Sequence, residues 1–153
     1  MQRADGAYLI VEEKVSGRAV LTQPGGHIEP FETPEAAAER ETLEETGCVV
    51  TIRELLGVYR WTEPRTRRAF LRIMYVADFQ DSNPDPVLDD GVLAAHWLSR
   101  DALLKERQRH RSPAVLRAID DFSAGRRIEH DSLAALRSLP GNLSLVHAAA
   151  API

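Results

Sequence analysis

A single cysteine, Cys48, excludes an intramolecular disulfide, and no second thiol stands near it to build a Cys-x-x-Cys metal site. No excess of positive charge exists either. The balance is 19 − 23 = −4 with a pI near 5.7, so broad binding to a nucleic-acid backbone by counterion release is not expected. Long apolar runs are absent. The opening stretch MQRADGAYLIVEEKV is broken by Glu12, Glu13 and Lys14, too short and too charged for a signal peptide or a membrane span. A protein of a reducing cytoplasm, with no membrane contact, is the expectation.

There are no internal repeats and no Gly/Ser or Pro-rich linkers. With 153 residues, 44% hydrophobic and 27% charged, the chain has the length and balance of one globular domain, placed at residues 1–139 with a loose tail over 140–153. Short strands are predicted at 7–12 and 19–22, around a Ser16-Gly17 turn. Longer ones follow at 49–61 and 69–79, joined across Glu63-Pro64-Arg65, and a last at 93–98. In the fourth, Leu71, Ile73, Tyr75, Ala77 and Phe79 make an apolar face. The alternate residues, Arg72 among them, make a mixed face suited to border a cleft. Helices are predicted at 34–46, 100–108 and 113–123. The first is bounded by Thr33 as N-cap, Pro34 at the first position and Gly47 past its end; the last starts at Ser112 and Pro113 and stops before Gly125. This alternation indicates an α/β sandwich with a mixed sheet between helices.

The helix at 34–46 has an electrostatic problem. Glu41, Glu44 and Glu45 lie at i, i+3 and i+4 on one face, where like charges repel, and two of them fall in the last turn, where the helix dipole disfavours anions. Arg40 relieves part of this through Glu44. A charge run is ordinarily a solvated face. Here, however, the acids follow a Gln23-Pro24-Gly25-Gly26-His27 loop that can present a bare carbonyl, and Glu32 precedes the helix. An oxygen-only donor set of this kind suits Mg²⁺ or Mn²⁺ and leaves coordination positions for substrate phosphates.

The spacing continues as Gly26, five residues, Glu32, seven residues, then Arg40-Glu41-Thr42-Leu43-Glu44-Glu45-Thr46-Gly47-Cys48. This resembles the Nudix box, Gly-x5-Glu-x7-Arg-Glu-U-x-Glu-Glu-x-Gly-U, with U bulky and aliphatic. Thr42 and Cys48 replace aliphatic residues. Phe31 stands where a glycine often precedes the first glutamate, a departure expected to reshape that turn. Wider likeness, through Gln23–Glu29, Trp61, Leu71-Arg72, Trp97 and Arg111-Ser112-Pro113, is to the NudJ-like subgroup of bacterial phosphatases. Members of the family carry one more strand before the one placed at 7–12. Met1 leaves almost no chain for it, so the expectation is that the true start lies upstream, or that a partner chain covers that edge as in a homodimer, or that the sheet is smaller.

The resemblance implies an α/β/α sandwich that hydrolyses phosphoric anhydrides with Mg²⁺ or Mn²⁺. Glu41, Glu44 and Glu45 would hold metal, with Glu32 and the Gly26 carbonyl assisting. Arg40 would orient the carboxylates, and Glu41 or Glu44 would take the proton of the attacking water. Nucleoside tri- and diphosphates or thiamine-precursor pyrophosphates are the implied small-molecule substrates. ADP-ribose, sugar nucleotides and oxidised nucleotides stay open as alternatives, as does a nucleotide sensor without turnover. Candidate substrate contacts are Arg72 on the mixed strand face, Trp61 for stacking, His27 and Arg111 for phosphate; Asp89 and Asp90 are weaker candidates for an extra acid near the metal.

Overall fold

The structure, a computed structural model, describes residues 1–129. The expected tail at 140–153, and the end of the expected domain at 130–139, lie outside the described residues. Strands β1 (Tyr8–Val15) and β2 (Arg18–Thr22) form a hairpin, with Val15 opposite Arg18. Helix α1 (Pro34–Thr46) follows, then β3 (Cys48–Thr62), β4 (Ala69–Ser82) and β5 (Val92–Leu98). The described residues continue through α2 (Arg100–Lys105), a 3₁₀ turn at Arg107–Arg109, and α3 (Ala114–Ser123).

These strands make two sheets. β2-β1-β5 is three-stranded and β3-β4 two-stranded, with every paired strand antiparallel; the parallel component of the expected mixed sheet is confined to an isolated bridge between Leu21 and His110. Before β1 the described residues hold one antiparallel bridge, Gln2 to Tyr8, and β1 itself is the central strand of its sheet, paired with β2 and β5, so no uncovered edge lies along it. β1 is longer than predicted, because Glu12, Glu13 and Lys14 keep the ladder with β2 while the two carboxylates find partners: Glu12 meets the His96 ring and the Arg109 guanidinium, and Glu13 the Arg111 guanidinium. The helix predicted to reach 108 stops at Lys105, where the Glu106 N–H bonds the Ala102 carbonyl and the chain tightens into the 3₁₀ turn. α3 begins at Ala114 with Pro113 as its cap residue. Ser112, predicted as N-cap, lies one position earlier, although its hydroxyl still accepts from the Ala114 N–H.

The core joins one face of β1–β2 to the closing helices: Tyr8, Ile10, Leu21, Leu103, Val115 and Ile119 are buried together, with Phe122 packed edge-on against Tyr8. Burying each large aliphatic side chain contributes about 1.5–3 kcal/mol. This cluster anchors β2, and β2 leads directly into the glycine loop. Trp97 is half-buried, edge-on to Phe79 and beneath the Arg3 guanidinium.

Candidate active site

Both ends of α1 are fixed by local chemistry. Thr33 Oγ1 accepts from the Ala36 N–H at 3.1 Å, and Gly47 takes the left-handed conformation, φ 69°, to donate to the Leu43 carbonyl at 2.8 Å. The loop after β4 completes the C-terminus. The Asn83 N–H reaches the Gly47 carbonyl at 2.9 Å and the Asp89 N–H reaches the Glu44 carbonyl at 3.2 Å. Asp89 thus meets the acidic helix through its backbone, as a cap to its last turn.

The repulsion expected among the glutamates is met from within the chain. Arg40 engages three carboxylates at once: Nε and Nη2 donate to the two oxygens of Glu32 at 2.9 and 3.1 Å, and Nη1 donates to Glu41 Oε1 at 3.0 Å and Glu44 Oε2 at 2.7 Å. Nη2 also donates to the His27 carbonyl at 3.0 Å, tying the loop to the helix. The i,i+4 rule gives only the Glu44 pairing; the planar guanidinium fork serves Glu32 and Glu41 as well. Hydrogen bonds to Glu32, then Glu44 and Glu41, hold the guanidinium firmly charged, and Arg40 with the Glu29 N–H keeps the Glu32 carboxyl below its ordinary range.

Glu45 is the exception. It is buried, accepts from the Gly25 N–H at 2.8 Å, and has no cation within ion-pair distance among the described residues. Burial pushes its carboxyl up, and the charges of Glu41 and Glu13 push the same way against the Gly25 hydrogen bond. Gly26 lies against Glu41 so closely that a Cβ there would overlap the carboxylate. That close approach explains the glycine by space, since Gly26 is not among the residues with positive φ.

These features fit a hard divalent cation. The groups gathered here are carboxylates, the cradle at Gly26 excludes a side chain, and Glu45 has no ion-pair partner among the described residues. In this arrangement Arg40 sits among the acids, and among the described residues no three acidic, histidine or cysteine side chains stand grouped at metal-holding spacing.

A cavity of about 360 Å³ opens beside the cluster, lined by Gly25, Gly26, His27, Ile28, Glu41 and Arg72 among others. Arg72 and His27 are thereby brought to the site. The Arg72 guanidinium is buried, donates to Thr22 Oγ1 at 2.5 Å and to the Gly25 carbonyl at 3.4 Å, and is held below its usual pKa by burial and by the charge of Arg111. Trp61 is not brought there. It lies stacked on Phe70, ring centroids 5.7 Å apart, and faces a separate groove between β3 and α3 with Tyr59, Arg117 and Asp121. Arg111 binds Glu13 at 2.5 Å and through its backbone the Leu21 carbonyl.

Sequence reasoning missed Gln23 and Glu13. Gln23 lines the cavity, donates from Nε2 to the Val115 carbonyl at 2.8 Å, and keeps Oε1 buried without a partner. Its place beside the Pro-Gly-Gly turn was the available signal. Phe31, the departure noted in the turn before Glu32, takes the left-handed backbone at φ 70°.

Comparison with known proteins agrees with this geometry. The NUDIX domain model matches residues 1–119. Phosphatase NudJ of Shigella boydii serotype 4 is 33% identical over 124 residues, covering 81% of this chain and 80% of that protein; Phosphatase NudJ of Escherichia coli K12 is 32% identical over the same shares. A solved NUDIX hydrolase from Nitrosomonas europaea superposes with TM-score 0.81 at 38% identity, over 86% of this chain and 89% of its own. The fold and the acid-lined site are those of a hydrolase of phosphoric anhydrides. The chain belongs to the NUDIX family.

Proposed function

We propose that the chain hydrolyses pyrophosphate bonds in nucleoside tri- and diphosphates or thiamine-type pyrophosphates, by water attack on phosphorus with Mg²⁺ or Mn²⁺ bound. The observation that carries it is the meeting of α1 with the Gly25-Gly26 loop beside the cavity: Glu41 lies against Gly26, Glu45 accepts from the Gly25 N–H, and Arg40 joins Glu41 to Glu32 and Glu44. The similarity to proteins named phosphatase NudJ supports nucleoside phosphates and phosphate release as the first choice among family reactions.

The residues to hold the cation are Glu41, Glu44 and Glu45, with Glu32 and the Gly26 carbonyl in support. When bound, it would polarise phosphoryl oxygens and lower the pKa of water. The chain's own part is placement and charge. Arg40 ties Glu32, Glu41 and Glu44 together and fixes their rotamers, and it favours the ionised form of Glu32. Glu41 or Glu44 accepts the water proton. Arg72, desolvated on the cavity wall, presents a guanidinium to phosphate oxygens, and His27 reaches the same mouth from the loop. No covalent intermediate is required, since phosphoryl transfer relies on positioning and electrostatics.

The test is a malachite-green phosphate assay over nucleoside tri- and diphosphates, thiamine pyrophosphate and ADP-ribose, with and without added inorganic pyrophosphatase. Phosphate from nucleoside triphosphates without the helper enzyme is the expected result. Signal only with the helper would replace phosphate release by pyrophosphate release, and no metal-dependent turnover of any anhydride would overturn the proposal.

A further inference from the structure

The loop between the cavity and α1 contains a residue whose conformation is costly and whose side chain buries nothing. The Glu32 N–H donates to the Glu29 carbonyl at 3.2 Å, closing a four-residue turn with Pro30 and Phe31 at its centre. Pro30 at the second position and a positive φ, 70°, at the third are the signature of a type II turn, whose third position favours glycine or asparagine. Phenylalanine there opposes the steric preference of its own Cβ. Folding does not recover that cost through burial, because Phe31 is 96% exposed. The turn is held firmly nonetheless: the Glu29 N–H donates to Glu32 Oε2 at 3.0 Å, and the same carboxylate is gripped by Arg40.

Strained residues persist where function repays them. Phe31 is bonded directly to Glu32 in the acidic cluster, and three residues earlier Ile28, 49% exposed, lines the cavity wall. The loop thus sets Ile28 on the wall of a site whose interior is ionic and leaves Phe31 exposed, next to Glu32 at the edge of the acidic cluster. An anhydride substrate with a heterocyclic ring presents the matching shape, a charged end for the glutamates and Arg72 and a flat apolar face for the loop's side chains. We infer that Phe31 is a specificity residue that stacks on the heterocyclic ring of the substrate while the phosphates lie against the α1 cluster. This deepens the proposed hydrolase reading and rests on it for where the phosphates sit.

Phe31→Leu, Phe31→Gly and Phe31→Trp separate stacking from strain. The readout is the ratio of kcat/KM for ATP to that for inorganic triphosphate, which has the anhydride but no ring. A base-stacking contact worth about 1 kcal/mol corresponds to roughly fivefold. The ratio is expected to fall about fivefold in both the Leu and Gly variants and to recover in Trp. Meanwhile Gly, which alone relieves the turn, is expected to raise the melting temperature by a few degrees. A ratio equal in wild type and Phe31→Leu would overturn the inference, as would one that changes in Gly alone. Equilibrium binding of ATP and inorganic triphosphate with Ca²⁺ in place of Mg²⁺ gives the same ratio without turnover. An enzyme that hydrolyses neither compound would move the substrate reading away from nucleoside triphosphates, while these affinities still decide on Phe31.

Discussion

Glu45→Gln separates the two demands placed on α1, stability and catalysis. Glu45 is 9% exposed and its carboxylate accepts the Gly25 N–H at 2.8 Å, a bond that a glutamine Oε1 can keep. What the substitution removes is charge. Burial, with Glu41 and Glu13 nearby, raises the native carboxyl above its ordinary 4.5, so the folded chain binds a proton more readily than the unfolded one. By linkage, wild-type stability then falls as pH rises from about that ordinary value through the raised native one. The variant has no such loss. Without divalent metal it should match wild type near pH 4 and exceed it at pH 8. The expected gain is about 1 kcal/mol, the low end for relieving a buried charge, or about 2–4 °C in a domain of this length. Calorimetry in EDTA at both pH values reads the difference, and added Mn²⁺ should raise the wild-type melting temperature more than the variant's. A variant that melts at or below wild type at pH 8, or gains as much at pH 4, would refute the reasoning.

Other substitutions probe the same cluster from different sides. Glu44→Gln should lower Mg²⁺-dependent hydrolysis at least about a hundredfold, the scale of a lost metal ligand or general base, measured by initial rates at saturating metal. Gly26→Ala inserts a methyl group where the Glu41 carboxylate lies, so kcat/KM should drop at least about tenfold while circular dichroism stays native. Arg40→Lys substitutes a point charge for a fork that serves Glu32, Glu41 and Glu44 together; it should lower both the melting temperature at neutral pH and kcat/KM, the thermal part shrinking as the carboxylates protonate in acid.

Much of this site was legible in the chain because its information is local. Thr33, Pro34 and Gly47 delimit α1 by capping chemistry that operates within a turn, and the i, i+3, i+4 rule places Glu41, Glu44 and Glu45 on one face without any tertiary knowledge. What escaped the sequence depends on contacts across the fold. Arg72 and Thr22 are fifty positions apart, Gln23 is fixed by Val115, and Arg111 is directed to Glu13, so neither partner carries a local mark of the other. Trp61 illustrates the converse. Its place at a strand end suggested a base-stacking role, but cross-strand pairing sets it on Phe70, beside a groove framed by α3. β1 ran past its predicted end for the same reason, since the partners of Glu12 and Glu13 come from the far end of the chain.

The most direct measurement is Mn²⁺ titration followed by electron paramagnetic resonance, on wild type and on a chain in which Glu41, Glu44 and Glu45 are all glutamine. Saturable loss of the free Mn²⁺ signal in wild type, and none in the substituted chain at millimolar metal, is the predicted result. Equal uptake by both would contradict the claim that this helix face captures the cation on which hydrolysis depends.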